Sequence, residues 1–125
     1  MTIEVLHHHN NAIAFVTEST KDAKVITDVS SILDLLASVS YQYATNKILI
    51  SKALFSTDFF ILSTGLAGEI LQKLITYGMK IAIFGDYSVY TSKPLQDFIY
   101  ESNKGKDIFF VSTKEEGLDR LAALS

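Results

Sequence analysis

Apolar residues along the chain come in short blocks whose period switches between two and about 3.6. Ile3 and Val5, then Ala12, Ala14 and Val16, alternate with more polar neighbours, which predicts two short strands. His7-His8-His9-Asn10-Asn11 separates them, and asparagine tolerates the backbone angles of a tight turn, so the pair Asn10-Asn11 predicts a hairpin. Residues 17–24 are polar and read as a loop. Val29, Ile32, Leu33, Leu36 and Val39 then recur at helical spacing to about Ser40, with Thr27 or Asp28 as N-cap and Ser31 and Asp34 near the other face.

Ile48-Leu49-Ile50 is a continuous apolar run, as in a strand covered on both faces. Ala67, Ile70, Leu71, Leu74 and Ile75 follow the i, i+3, i+4, i+7, i+8 pattern of a helix over residues 64–77, stopped by Gly78. Residues 79–84 repeat the buried-strand pattern. Thr91 or Ser92 caps the next helix, Pro94 fits its first turn, and Leu95, Phe98 and Ile99 form its apolar face up to Asn103 and Gly105. Residues 107–111 make the last strand. Thr113 and Glu116 match a capping box ahead of a helix carrying Leu118, Leu121 and Ala122.

The order β-β-α-β-α-β-α-β-α predicts a single α/β domain over residues 1–125, with a mixed, mostly parallel five-stranded sheet and four helices. Composition fits: 125 residues, 48% hydrophobic and 20% charged, suit one domain with a sizeable core. The net charge of −3 argues against nucleic acid as a partner, since phosphate backbones select basic surfaces. Without cysteine, disulfides, thiolate metal sites and thiol catalysis are excluded. No run reaches the 18 or so apolar residues of a membrane span, and Met1 to Leu6 lacks the pattern of a secretory signal, so no membrane contact and a cytoplasmic location are expected.

Polar residues with chemical potential gather after the central strands. Lys52 and Asp58 follow one, Ser63 and Thr64 open the next helix, and Asp86 and Ser88 follow the other. Ligands of open α/β sheets bind beyond the carboxyl ends of parallel strands, so these six residues form the candidate binding or switch rim. The competing role for Asp58, Ser63, Asp86 and Ser88 is to close turns. Gly65 and Gly68 weaken the helix start, which points to close packing on the sheet or close approach of a ligand. Tyr100, beside Glu101 and Lys104, suits either a partner surface or a half-buried site. No phosphate loop, dinucleotide fingerprint or nucleophile elbow is present, and the histidines lie far from the rim loops in sequence, so the residues name no catalytic group or cofactor and lean away from an enzyme. Successive strand residues point to opposite faces, so the histidine run reads as a solvated hairpin end without metal.

Two resemblances add to this. The element order resembles the STAS fold of sulphate transporters and anti-sigma-factor antagonists. That family carries an Asp-Ser-Ser-Gly-Leu type sequence at the start of its second helix, where Leu62-Ser63-Thr64-Gly65-Leu66 stands here. The resemblance implies a regulatory protein–protein module with Thr64 at the phosphoacceptor position and Ser63 before it; Leu62 departs from the Asp. Asp58-Phe59-Phe60, the run from Thr64 to Lys73, Gly85-Asp86-Tyr87-Ser88 and the run from Asp97 to Gly105 resemble the bacterial family called domain of unknown function 4180, which implies no activity. The expectation is therefore a contact module with an unidentified protein partner and unstated oligomeric state. The alternative is a small-molecule or anion-binding domain, or an enzyme, using residues 52–64 and 85–88.

Overall fold

The structure, a computed structural model, describes residues 1–20 and 23–124. The loop expected over 17–24 therefore includes two positions outside the described residues. Strands β1 (Thr2–His8) and β2 (Asn11–Thr17) pair antiparallel, and β3 (Lys47–Ser51), β4 (Lys80–Phe84) and β5 (Ile108–Val111) follow in parallel, giving the sheet order β1-β2-β3-β4-β5. The helices are α1 (Val29–Tyr43), α2 (Leu66–Tyr77), α3 (Lys93–Lys104) and α4 (Lys114–Ala122). This is the α/β architecture that the apolar pattern predicts.

The hairpin turn falls one residue earlier than expected, on His9 and Asn10 (φ 50° and 67°), and Asn11 already belongs to β2. Positive φ at both central residues matches the twist of a two-residue hairpin.

Strand alternation splits the core in two. Ala14, Val16, Ile48, Ile50, Ile81, Ile83, Ile108 and Phe110 pack with α1, α2 and α3, whereas Ile13, Leu49, Ala82, Phe109 and Val111 pack with Leu121 of α4. The topology explains the split. Right-handed crossovers between strands in sequential order bring α1, α2 and α3 to one face. Helix α4 follows β5 and packs over the opposite face.

Caps match their residues. Asp28 and Ser31 form a reciprocal capping box on α1, Ser92 caps α3 and Thr113 caps α4. The apolar register of α2 is less complete than its sequence suggests: Ala67, Ile70 and Leu74 are buried, but Ile75 is half exposed.

The segment joining β3 to α2 consists of three 3₁₀ turns, Lys52–Leu54, Thr57–Phe60 and Leu62–Thr64. It is braced by the loop before α1. Val25 and Ile26 donate to Leu54 O at 2.7 and 3.0 Å, Ser56 N donates to Ile26 O at 2.9 Å, and Lys24 Nζ donates to Ala53 O at 2.8 Å. Phe55 and Phe59, fully buried, anchor it from below.

Candidate functional site

The six rim residues separate into two groups at the carboxyl end of the parallel strands. Lys52, Asp86 and Ser88 form the first. Lys52 Nζ donates to Asp86 O at 2.6 Å and lies 4.7 Å from the centre of the Tyr90 ring, 5.7 Å from Tyr87 and 5.9 Å from Phe60. A cation over aromatic faces is held by the ring quadrupoles, about 0.5–2 kcal/mol per good contact. Asp86 Oδ1 accepts from Ser88 Oγ at 2.6 Å and from Ser88 N at 2.9 Å. These two Ser88 bonds hold the Asp86 carboxyl below the usual carboxylate range against an opposing effect of burial, with the Lys52 charge a lesser aid.

Gly85 makes this arrangement possible. A Cβ there would meet Lys52 Cβ at 2.7 Å, so only glycine lets the lysine stem cross the end of β4. The Tyr87 hydroxyl turns inward and donates to Ile83 O at 2.7 Å; burial, with Tyr90 beside it, pushes its phenol far up.

Asp58, Ser63 and Thr64 form the second group, at the entrance to α2. The Thr64 hydroxyl lies 2.8 Å from Asp58 O and 2.9 Å from Ile61 O, and Leu66 N approaches it at 3.3 Å. Thr64 is exposed and sits in the last 3₁₀ turn, outside the helix expected over 64–77, because Gly65 (φ 81°) reverses the backbone before α2 begins. Ser63 is also exposed, and its hydroxyl has no hydrogen-bond partner among the described residues. Gly68 is exposed with open space where a Cβ would stand, so neither close packing on the sheet nor approach of a neighbouring group accounts for it.

The rim is therefore two local networks rather than one set of converging groups. What joins them is aromatic: Phe60 of the entrance stacks on Tyr90 at 5.1 Å, and Tyr87 meets Phe60 and Phe110 at 6.2 and 5.5 Å. The sequence carries a signal for this layer, since Phe55, Phe59, Phe60, Tyr87 and Tyr90 all follow β3 or β4. Two depressions open nearby. One of ≈ 420 Å³ is lined by Phe60, Ile61, Leu62, Ser63, Ser92 and Pro94. The other, ≈ 480 Å³, is lined by Gly85, Asp86, Tyr87, Ser88 and Ser112; an anion entering it meets a carboxylate, while the Lys52 ammonium is held by a carbonyl.

At the opposite end of the sheet the histidine run departs from strand alternation. His9 lies in the left-handed turn, so its ring folds beside that of His8, with centres 4.3 Å apart. Asp119 of α4 reaches His8 Nε2 at 2.7 Å. Strand alternation predicts neither the shared side nor the carboxylate, because the spacing of α4 does not say which face of the sheet it covers.

The family model described as Domain of unknown function (DUF4180) matches residues 9–121. The chain belongs to this family. No curated protein and no solved structure matches it. The DUF4180 match takes in all six rim residues, His9 and Asp119, while β1 up to His8 lies before it. Among the described residues no helix is long and apolar enough to cross a membrane.

Proposed function

We propose that this member of DUF4180 is a STAS-like regulatory module of the cytoplasm that works by protein–protein contact through the entrance to α2, with Ser63 or Thr64 as its point of phosphate control. The observation that carries this reading is the apolar surface around the entrance. Ile61 is 51% exposed and shares a depression with Phe60, Leu62 and Pro94, and Val89, one residue before Tyr90, is 63% exposed. Exposed apolar groups rimmed by polar ones are what a partner covers. The neighbouring polar side chains favour contact over small-molecule capture, because Lys52, Asp86 and Thr64 each bond within the fold rather than converging on one point.

The two hydroxyls would act differently. A phosphate on Ser63 adds charge to an exposed turn without breaking a bond. A phosphate on Thr64 gives up the one hydroxyl proton that Asp58 O and Ile61 O share and stands beside the first amides of α2, which favour an anion. Either change places charge next to Ile61.

Retrieval of the native chain with its bound proteins tests the reading. Wild type and Tyr41→Asp, a substitution on α1 away from the entrance segment in sequence, should retain the same partner; Ile61→Asp should lose it. Equal retention by Ile61→Asp, or no partner with wild type, contradicts the proposal.

A further inference from the structure

We propose that His8, His9 and Asp119 bind a divalent first-row transition metal ion of the zinc class and so join the hairpin tip to α4. Each residue offers one donor atom, and the three donor atoms lie within 4.8 Å of one another. Two imidazoles and a carboxylate are a donor set that suits such ions.

The backbone holds the set together from three elements. His8 ends β1 opposite Asn11. His9 takes a left-handed conformation (φ 50°), which brings its ring to the side of His8 rather than the opposite face. Asn11 fixes that turn: its Nδ2 lies 2.9 Å from His9 O and 3.2 Å from Ala122 O, near the end of α4. Asp119 then comes from the last turns of the same helix.

A simple ion pair needs only His8 and Asp119. The left-handed turn sets a third donor, the exposed His9 ring, beside them. The donors set farthest apart, within 4.8 Å of one another, would close on the ion, and the His8–Asp119 pair would open slightly. In a tetrahedral site with bonds of about 2.0–2.1 Å, two donors stand about 3.3 Å apart. His8 Nε2 and Asp119 Oδ1 are 2.7 Å apart, so that pair opens by roughly 0.6 Å around an ion. The His8 and Asp119 side chains are 30% and 68% exposed, which leaves them room to move and leaves water the remaining coordination position.

Calorimetric titration of the full chain with Zn²⁺ alone, in a buffer that does not chelate it, tests the site. Wild type should bind one ion per chain. Asp119→Asn, which keeps the carboxylate's shape, and His9→Asn, which tolerates the left-handed turn, should each weaken binding by about tenfold or more. His7→Ala should leave binding unchanged, because His7 is not part of the cluster. Zn²⁺ should also raise the heat-unfolding midpoint of wild type and not of Asp119→Asn. Absence of binding to wild type overturns the proposal. So does undiminished binding by Asp119→Asn, or a loss in His7→Ala equal to that in His9→Asn, either of which marks a histidine run acting without the helix.

Discussion

The two ends of the parallel strands treat their polar residues in opposite ways. At the carboxyl end, Lys52, Asp86, Ser88 and Thr64 bond to carbonyls or to near neighbours in sequence, over a floor of aromatic rings. At the amino end, side chains from distant elements meet one another. Lys80 pairs with Asp107 at 2.6 Å, buried Lys47 donates to Asn11 Oδ1 at 2.6 Å and to Leu124 O at 2.9 Å, and His8 meets Asp119. The first end is a shaped surface on which Lys52, Asp86, Ser88 and Thr64 bond locally and Ser63 stands open. The second is a set of long-range polar ties. The contrast teaches that a rim of polar residues past the strands is not by itself a ligand site; what matters is where their bonds go.

Substitutions at both networks test this contrast. The largest effect is expected at Phe59, fully buried with ring centres 4.7 Å from Phe55 and 4.9 Å from Phe60. Phe59→Ala should cost about 3–5 kcal/mol in denaturant unfolding. A loss below about 1 kcal/mol would show that the aromatic floor does not support the entrance.

Gly85→Ala should follow, at about 1–3 kcal/mol, because the new methyl group meets Lys52 Cβ, which cannot swing away as a side-chain tip can. In the same variant, nuclear magnetic resonance should show shifted Tyr87 and Tyr90 ring signals as Lys52 is displaced. Gly68→Ala should act in the other direction and stabilise by about 1 kcal/mol, since nothing occupies the space and the helix gains a better former. Destabilisation there would reveal a constraint at the start of α2.

The smallest effect is expected at Ser88→Ala. Removing the hydroxyl that donates to Asp86 should raise the Asp86 titration midpoint toward the ordinary value, read from its carboxyl carbon signal. The sign follows from linkage. A carboxyl depressed in the folded state stabilises above its unfolded value near ~3.9 and loses that contribution as pH falls through the folded value. Ser88→Ala should therefore be slightly less sensitive to acid than wild type.

Much of the fold was legible because periodicity and caps are local. Ile48-Leu49-Ile50 reads as buried on both faces, and it is. Ser92 and Thr113 cap the helices expected of them. What escaped is non-local. Nothing in the spacing of Gly117, Leu118 and Leu121 says which face of the sheet α4 covers, and the Asp119–His8 meeting depends on it. The three 3₁₀ turns escaped because Phe59 and Phe60 follow neither strand nor helix period. That the six rim residues follow the carboxyl ends of the strands was legible; their division into two groups was not, since Lys52 finds the Asp86 carbonyl only once β3 and β4 pair. His9 escaped for a backbone reason, a left-handed turn that strand alternation does not foresee.

Amide hydrogen exchange of the native chain, alone and with its retrieved partner, tests the proposal that the entrance to α2 is the contact surface. Slowed exchange should concentrate at residues 57–66 and in the loop that carries Val89. Protection confined to a separate apolar depression of ≈ 380 Å³ between Leu33, Tyr41, Tyr77 and Met79, with the entrance unchanged, would contradict it.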